Sequence, residues 1–376
     1  MKFLFFILII FVRIKILFGD SSYLSQNKIL QILPGNDNFD IFKYSSKLNN
    51  DTLLIYELTN LALNNLIGKN SKNQIVDKYK LYNFLLYLAD EYNSNTFPNK
   101  NPYHNLFHAS DVVHTLYIYL LKSKKSNPIL FFDTYIKQGE ELEFISNINY
   151  NELDIFALII AAACHDFRHT GRDNNFYSNY RDKVPFAKIL KYYDYKLELY
   201  HFDEAKKLID EFGILENLNK FQKERFYKIM KISIYGTDNS LNKKHSEDLL
   251  KYKDIMTIKS INLTNETLDE VKLIMFECLL HGADISNPTK SKDLMLTWSN
   301  KVNEEFCEQS KEIHSLDETK EIYCVGNDNK KFKESQLSFF INIVEVFFKP
   351  FCEVFNSLNY LCENYENNKL FLENLK

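Results

Sequence analysis

The stretch that decides the fold is LDIFALIIAAACHDFRHTG, residues 153–171. Apolar residues fill its first part and recur three and four positions apart, which is the period of an α-helix. The run ends in the adjacent pair His165 and Asp166, with His169 one turn further on. Ionisable groups at the end of a buried helix destabilise the fold unless a partner or a cation compensates them. The stretch therefore predicts a buried helix that delivers polar side chains to an interior site.

The same helical period recurs through most of the chain. It appears in residues 52–67, 80–92, 108–121, 202–212, 220–235, 268–284 and 336–358. No comparable set of alternating strands occurs, and the chain has only 9 Gly and 7 Pro in 376 residues. These counts lie below the average usage of about 7% and 5%, so the chain has too few Gly and Pro residues for a turn-dense β fold. The sequence predicts an all-α, compact multi-helix domain.

Composition and motifs exclude several classes of protein. Lys and Arg total 46 against 50 Asp and Glu, a net charge of −4, so there is no basic excess for nucleic acid. No G-x-G-x-x-G or G-x-x-x-x-G-K-[ST] motif supports a dinucleotide fold or a P-loop. The six cysteines form no C-x-x-C pair, which disfavours a zinc ribbon or a dense disulfide framework. Cys164 and Cys278 lie in apolar helical runs and are expected to be buried thiols in a reducing compartment.

The chain divides into three parts by composition. Residues 1–19 are almost entirely apolar, but Arg13 and Lys15 limit the uninterrupted run to Phe3–Val12. A membrane-spanning helix needs about 20 mainly apolar residues, so a signal peptide, an interfacial anchor and the tail of a membrane segment all remain open. Residues 20–50 are polar, contain Pro34-Gly35 and are interpreted as a linker. Residues 51–376 are predicted to form the folded domain.

Six of the nine histidines lie in three short blocks. In the first block the spacing of His104, His108 and Asp111 predicts that they share one face of a helix. The third block, LIMFECLLHGADISNP, is an apolar helix that ends in His281 and Asp284 and stops before Asn287-Pro288.

Three buried helices that each deliver His or Asp provide the ligands of a mixed metal site. Imidazole nitrogen with carboxylate oxygen suits zinc, manganese or iron, and a shared carboxylate suits a pair of zinc and magnesium ions. Two-metal sites activate water and hold a phosphoryl group during displacement. The pattern therefore predicts a metal-dependent phosphohydrolase, against the simpler alternative of core histidines that are satisfied by protein partners.

At these residues the chain resembles the catalytic domain of the class I 3′,5′-cyclic nucleotide phosphodiesterases of the HD superfamily. The resemblance runs from about Leu53 to Glu363. It is carried by four blocks in the family's order: Tyr103-His104-Asn105 with His108, His165-Asp166-x-x-His169-x-Gly171-x-x-Asn174-x-Phe176, His281-x-Ala283-Asp284-x-Ser286-Asn287-Pro288, and Ser335-Gln336-x-x-Phe339.

The resemblance implies a role for each matching residue. The ligands of a tightly held zinc would be His108, His165, Asp166 and Asp284, with Asp166 bridging to a second ion, Mg²⁺ or Mn²⁺. His104 would be the general acid that protonates the departing O3′. His169 and Glu198 would orient metal-bound water and the acid, and Thr237, followed by Asp238, would lie near the second metal. The nucleotide would contact Tyr103, Asn287, Val302, Gln336 and Phe339, with Gln336 reading the purine and Val302 and Phe339 gripping it.

Two departures from the family pattern leave the four metal ligands and the acid in place but affect the residues around them and the nucleotide preference. Leu199 and Tyr200 stand where the family has Asn and His, and residues 310–335 lack the usual Ser-Pro-Met-Cys-Asp run. The expected substrate is a cyclic nucleotide, with the choice between cyclic AMP and cyclic GMP left open, as is the oligomeric state. The alternatives are an HD-type phosphohydrolase for another nucleotide and a cyclic-nucleotide-binding pseudoenzyme. The resemblance implies a cytosolic location, including the cytosolic face of a membrane reached through residues 1–19.

Overall fold

A computed structural model describes residues 39–94, 101–124, 126–127, 130, 150–257 and 264–375. The predicted hydrophobic segment 1–19 lies outside the described residues. Across the described ranges the chain is helical and contains no strand, which confirms the all-α prediction. The α-helices are α1 (Ile41–Ser45), α2 (Leu54–Leu66), α3 (Lys69–Ile75), α4 (Lys78–Ser94), α5 (Leu106–Ser123), α6 (Tyr150–Cys164), α7 (Asn174–Asn179), α8 (Ala187–Leu190), α9 (Leu197–Phe212), α10 (Lys220–Tyr235), α11 (Asn242–Thr257), α12 (Asn265–Asp284), α13 (Lys292–Leu316), α14 (Asn329–Phe339), α15 (Glu345–Val354) and α16 (Tyr360–Glu373).

Helix α6 forms the centre of the core. Residues 153–164 are all buried, and α6 packs against α10, α5 and α2. Its one charged residue in this stretch, Asp154, accepts two hydrogen bonds from Arg225 at 2.8 Å and pairs with Lys272 at 2.8 Å. This network ties α6 to α10 and α12. The helix that the sequence marked as buried therefore places His165 and Asp166 at the interior end of the central element.

The last predicted helix, over residues 336–358, is interrupted. Helix α14 ends at Phe339, the turn Phe340–Val344 is a π-helix, and α15 ends at Val354 with Pro350 inside it. An apolar period of three and four residues does not reveal a wider turn, because the inserted residue leaves the apolar face continuous. The helical prediction is confirmed for residues 336–354, whereas the π-turn and the end of the helix at Val354 were not predicted.

The compact unit starts at Asp40, before the predicted start of the domain. The Asp40 carboxylate caps α1 by accepting from the N–H groups of Phe42 and Lys43, at 3.1 and 3.0 Å. Ile41 and Tyr44 are buried, and the Phe42 ring lies 4.9 Å from that of Trp298. Residues 40–50, which the sequence assigned to the linker, therefore pack with the domain. Their few apolar residues are interspersed with polar ones, so the helical period is not evident in the sequence.

The cysteines differ in part from the expectation of reduced thiols. Cys164 and Cys278 are free and buried, as predicted. Cys307 pairs with Cys324, with Cα atoms 4.6 Å apart, and Cys352 pairs with Cys362, with Cα atoms 6.5 Å apart. The first bridge fastens the segment after α13 to that helix, and the second joins α15 to α16. Spacing along the chain did not predict these disulfides because each depends on how two elements pack.

A search for membrane-crossing elements covered the described ranges only. None of the helices there combines enough length with enough apolar character to cross a bilayer.

Candidate metal centre and active site

The ends of α6 and α12 and the first turn of α5 bring four side chains together. His108 Nε2 lies 2.9 Å from Asp284 Oδ1 and 3.4 Å from Asp166 Oδ2. His165 Nε2 lies 3.2 Å from Asp166 Oδ2, 3.4 Å from Asp284 Oδ1 and 3.4 Å from His108 Nε2. The structure thus gathers all four residues that the sequence predicted as zinc ligands, drawn from three separate blocks.

The hydrogen bonding around this cluster suits a cation. His165 Nδ1 donates to the Ala162 carbonyl at 2.9 Å, which directs Nε2 into the cluster. Asp166 Oδ2 is buried, and within the described ranges it forms no well-aligned hydrogen bond although the Nε2 atoms of His108 and His165 both lie within 3.4 Å of it. Burial opposes a charge on His165, yet Asp166 and Asp284 raise its pKa well above the ordinary value. Two imidazole nitrogens and two carboxylate oxygens in this arrangement form a donor set that zinc, manganese or iron accepts.

His104 lies before α5 rather than on its face. The Asn105 side chain caps the helix by accepting from Phe107 N at 2.9 Å, so the helix begins at Leu106 and the shared-face prediction for His104 is wrong. Glu305 holds His104 instead. Its Oε1 contacts His104 Nδ1, and its Oε2 accepts the backbone N–H groups of Tyr103 and His104, both at 3.0 Å.

This contact determines the protonation of His104. Burial lowers its pKa, but the Glu305 carboxylate and the nearby Asp166 raise it to about 9. The pKa of Glu305 falls to about 2, because its interactions with His104 and His169 outweigh the effect of burial. With Nδ1 held by a carboxylate, the imidazolium keeps Nε2–H as the donor that remains. His104 is therefore arranged as a proton donor beside the four-residue His/Asp cluster.

His169 stacks on His104, with ring centroids 3.8 Å apart. Its Nδ1 accepts from Gly171 N at 3.0 Å, so the neutral ring carries its proton on Nε2. Burial, followed by the charge of His104, lowers the pKa of His169 well below the ordinary value. His169 also forms a potential metal-binding group with Asp166 and His201. His169 therefore lies beside Asp166, the residue that the sequence predicts to bridge two ions.

Glu198 and Thr237 make their hydrogen bonds outside the four-residue cluster. Glu198 accepts from Asn174 Nδ2 at 3.0 and 3.3 Å, and Thr237 Oγ1 donates to the Ile234 carbonyl at 2.8 Å. Burial and the charge of Asp238 raise the pKa of Glu198 to about 7. Asp238 follows Thr237 directly, so Glu198 and the end of α10 are electrostatic neighbours.

The residues predicted to contact the nucleotide lie at two separate places in the structure. Asn287 Nδ2 donates to the Tyr103 hydroxyl at 2.6 Å, and the Tyr103 ring lies 4.5 Å from that of His108. The first contact therefore adjoins the metal cluster.

The second contact joins α13 to α14. Gln336 is buried rather than near solvent, and its Oε1 accepts from Ser299 Oγ at 2.7 Å. Val302 and Phe339 are half-buried and lie one helical turn after Ser299 and Gln336 respectively. The two apolar side chains thus follow the hydrogen-bonded pair on their helices.

Three residues of the site escaped assignment from the sequence. Neither Glu305 nor Ser299 lies in a motif that marks it for a role in the site. Asn101 Nδ2 donates to the carbonyls of His104 and His169, at 3.0 and 2.8 Å, and so holds the two loops together. Asn101 precedes Pro102, a pair typical of turns, and nothing in this pair indicates the contact. Such positioning residues are recognised only when distant segments are seen together.

The fold and the site together define a helical domain with a His/Asp cluster that could hold a metal ion. Residues 103–365 match the 3′5′-cyclic nucleotide phosphodiesterase family, and the chain belongs to that family. Among curated proteins, it is 32% identical over 215 residues to the mouse (Mus musculus) dual specificity calcium/calmodulin-dependent 3′,5′-cyclic nucleotide phosphodiesterase 1C, covering 56% of this chain and 25% of that protein. It is 27% identical over 338 residues to the Caenorhabditis elegans probable 3′,5′-cyclic-AMP phosphodiesterase pde-4, covering 87% of this chain and 44% of the relative. The chain thus spans less than half of either relative.

Solved structures share the fold. The phosphodiesterase domain of the Salpingoeca rosetta rhodopsin phosphodiesterase superposes with a TM-score of 0.69 at 23% identity, covering 94% of this chain and 95% of that chain. A second structure, the phosphodiesterase domain of a fusion protein from the same choanoflagellate, gives a TM-score of 0.65 at 23% identity, covering 89% and 97%.

Proposed function

We propose that this protein hydrolyses a cyclic nucleoside 3′,5′-monophosphate to the 5′-monophosphate and so ends a cyclic-nucleotide signal. The observation that carries the proposal is the position of His104. A proton donor held by Glu305 stands beside a His/Asp metal cluster, and its ring stacks on His169. Family membership, with named relatives that are cyclic nucleotide phosphodiesterases, supports the same reaction.

We infer that His108, His165, Asp166 and Asp284 hold a zinc ion and that Asp166 also reaches a second ion, Mg²⁺ or Mn²⁺. When bound, such a pair supplies Lewis-acid stabilisation of the phosphoryl group and lowers the pKa of water. The chain's own residues do the rest. Water attacks phosphorus and forms the new P–O bond, and the P–O3′ bond breaks as His104 donates a proton to O3′, which leaves the phosphate on O5′. The proton that the attacking water loses restores the protonated state of His104. His169 Nε2–H and Glu198 orient water, and Thr237 orders the end of α10.

The basis of substrate recognition is the contact between Asn287 and Tyr103 together with the contact between Gln336 and Ser299. We propose that Asn287 and Tyr103 meet the nucleotide beside the metal cluster, and that Gln336 bonds the purine between Val302 and Phe339. The Ser299 hydroxyl can donate to the amide oxygen or accept from the amide nitrogen, so it satisfies either orientation of Gln336. We therefore propose cyclic AMP, cyclic GMP or both as substrates. A cytosolic site of action, with membrane attachment through residues 1–19, stays part of this proposal.

The test of the proposed reaction replaces His104 with Ala. A positioned general acid contributes roughly 10²–10⁴-fold to the rate, so turnover of cyclic nucleotides should fall by that factor while bound metal is retained. A phosphodiester whose leaving group needs no proton should recover most of the rate. Equal losses on both substrates would show that His104 holds the site together rather than donating a proton.

A further inference from the structure

The segment Ser286–Lys290, which carries Asn287, is fastened to the C-terminal helix through its backbone. Asn368 in α16 is 4% exposed and donates to the carbonyls of Pro288 and Lys290, both at 2.8 Å. One turn earlier, Asn364 donates to the Thr289 carbonyl at 2.9 Å. Two amides of one helix thus satisfy three consecutive carbonyls of the Ser286–Lys290 segment.

The same segment is fastened on its other side to α5. Lys290 Nζ donates to Asp111 Oδ1 at 3.0 Å and to Thr115 Oγ1 at 3.1 Å. The Lys290 and Asp111 side chains are 11% and 3% exposed, so solvent screens the pair little. Because α5 also carries His108, this contact sets the segment relative to the metal cluster.

The two attachments determine where Asn287 lies. Its only side-chain bond among the described residues joins Nδ2 to the Tyr103 hydroxyl, at 2.6 Å. The Tyr103 ring in turn lies edge-on to Trp298, with centroids 5.6 Å apart. A shift of the Pro288 and Lys290 carbonyls would therefore move Asn287 away from Tyr103 without touching a metal ligand.

We propose that Asn368 is a positioning residue for nucleotide recognition: through the Pro288 and Lys290 carbonyls it places Asn287 for the substrate. This inference rests on the proposed function, in which Asn287 contacts the nucleotide. Asparagine suits the position because its amide nitrogen supplies two N–H donors. An aspartate there would turn an oxygen toward two carbonyl oxygens, and a buried carbonyl that loses its donor is costly.

The test compares two neighbouring asparagines of α16 in the full-length, metal-loaded protein. Asn368→Ala should raise KM for cyclic nucleotides about 5- to 50-fold, the effect of losing one or two buried hydrogen bonds. Hydrolysis of a small base-free phosphodiester and metal content should stay at wild-type values. Asn367→Ala, at an exposed position, is the matched control and should change neither KM for cyclic nucleotides nor the rate on the base-free substrate. Equal losses on both substrates, or a KM equal to that of the control, would overturn the proposal.

A second readout needs no substrate. Trp298 is the only tryptophan, so its emission reports on the Tyr103 contact. Asn368→Ala should change its emission maximum or its quenching by acrylamide, and Asn367→Ala should not. If the wild-type protein hydrolyses neither cyclic nucleotide, the proposed function fails, and unchanged Trp298 emission would separately refute the positioning role. Should Asn368→Ala not fold, Asn364→Ala removes one bond and must show the same changes at smaller size. No change in that variant would also overturn the proposal.

Discussion

His104 owes its orientation and its raised pKa to the Glu305 carboxylate, which lies 201 positions away in the chain. A spacing argument placed His104 on a helix face, whereas the Asn105 cap leaves it in the preceding loop. The loop position lets one carboxylate hold the ring nitrogen and two backbone N–H groups at once. At the scale of single residues, the ligands are visible in the sequence, but the group that tunes the acid is not.

This arrangement predicts a shift in the pH dependence of Glu305→Gln. A general acid works only when protonated, so activity falls as the pH rises through its pKa. Glu305 helps to raise the pKa of His104 to about 9 against the opposing effect of burial. Loss of its charge should therefore move the alkaline limb of kcat/KM to lower pH. The exposed Glu304→Gln serves as the control. An alkaline limb that stays in place in Glu305→Gln would refute this account of His104.

At the scale of elements, the turn after α6 shows why the H-D-x-x-H-x-G string needs its glycine. Gly171 has φ +71°, a left-handed conformation, and a Cβ there would lie 2.7 Å from Asn101 Oδ1. Asn101 is the residue that bonds the carbonyls of His104 and His169. The glycine therefore permits a close approach of two loops that carry the acid and its stacking partner.

Gly171→Ala should accordingly reduce kcat/KM by more than tenfold while the protein stays folded. Gly68→Ala is the matched control, because Gly68 also has positive φ, +84°, but nothing lies within 4 Å of its added Cβ. The control should lose only about 1–2 kcal/mol of unfolding free energy, from backbone strain. Steady-state kinetics and urea unfolding measure the two effects. Equal kinetic parameters in the two variants would show that the approach to Asn101 is unimportant.

How far the sequence predicted each element depended on whether the signal was local. Helices α6, α10 and α12 follow the apolar period closely, and the four predicted ligands meet because buried helices must end near one another in a small core. The π-turn at Phe340–Val344 and the helix Ile41–Ser45 were missed, since neither changes the local pattern of apolar residues. Asn101, Ser299 and Glu305 were missed because their partners are distant in sequence.

At the scale of the whole molecule, the ion network inside the core ties the central helix to its neighbours. Asp154 and Lys272 are 0% exposed and Arg225 is 2% exposed. Asp154→Ala removes the carboxylate that pairs with Lys272 and leaves Arg225 with Asp269, so it should lower the unfolding free energy by roughly 3–5 kcal/mol. Glu247→Ala removes an exposed partner of Lys243 and should change the unfolding free energy by less than about 0.5 kcal/mol. Urea denaturation measures the unfolding free energy of both variants. Similar small losses in the two would contradict the structural role of the network.

The central claim is hydrolysis of a cyclic nucleotide at a metal site that includes Asp284, and the identity of the product tests it most directly. Full-length protein reconstituted with zinc and magnesium is incubated with cyclic AMP and with cyclic GMP, and the products are separated by chromatography beside zinc analysis of the protein. We expect the 5′-monophosphate of at least one nucleotide, and Asp284→Ala should lose both bound zinc and nearly all turnover, because three ligands leave a weaker site. A folded Asp284→Ala protein with full zinc occupancy, a 3′-monophosphate product, or no turnover of either nucleotide by the metal-loaded protein would contradict the claim.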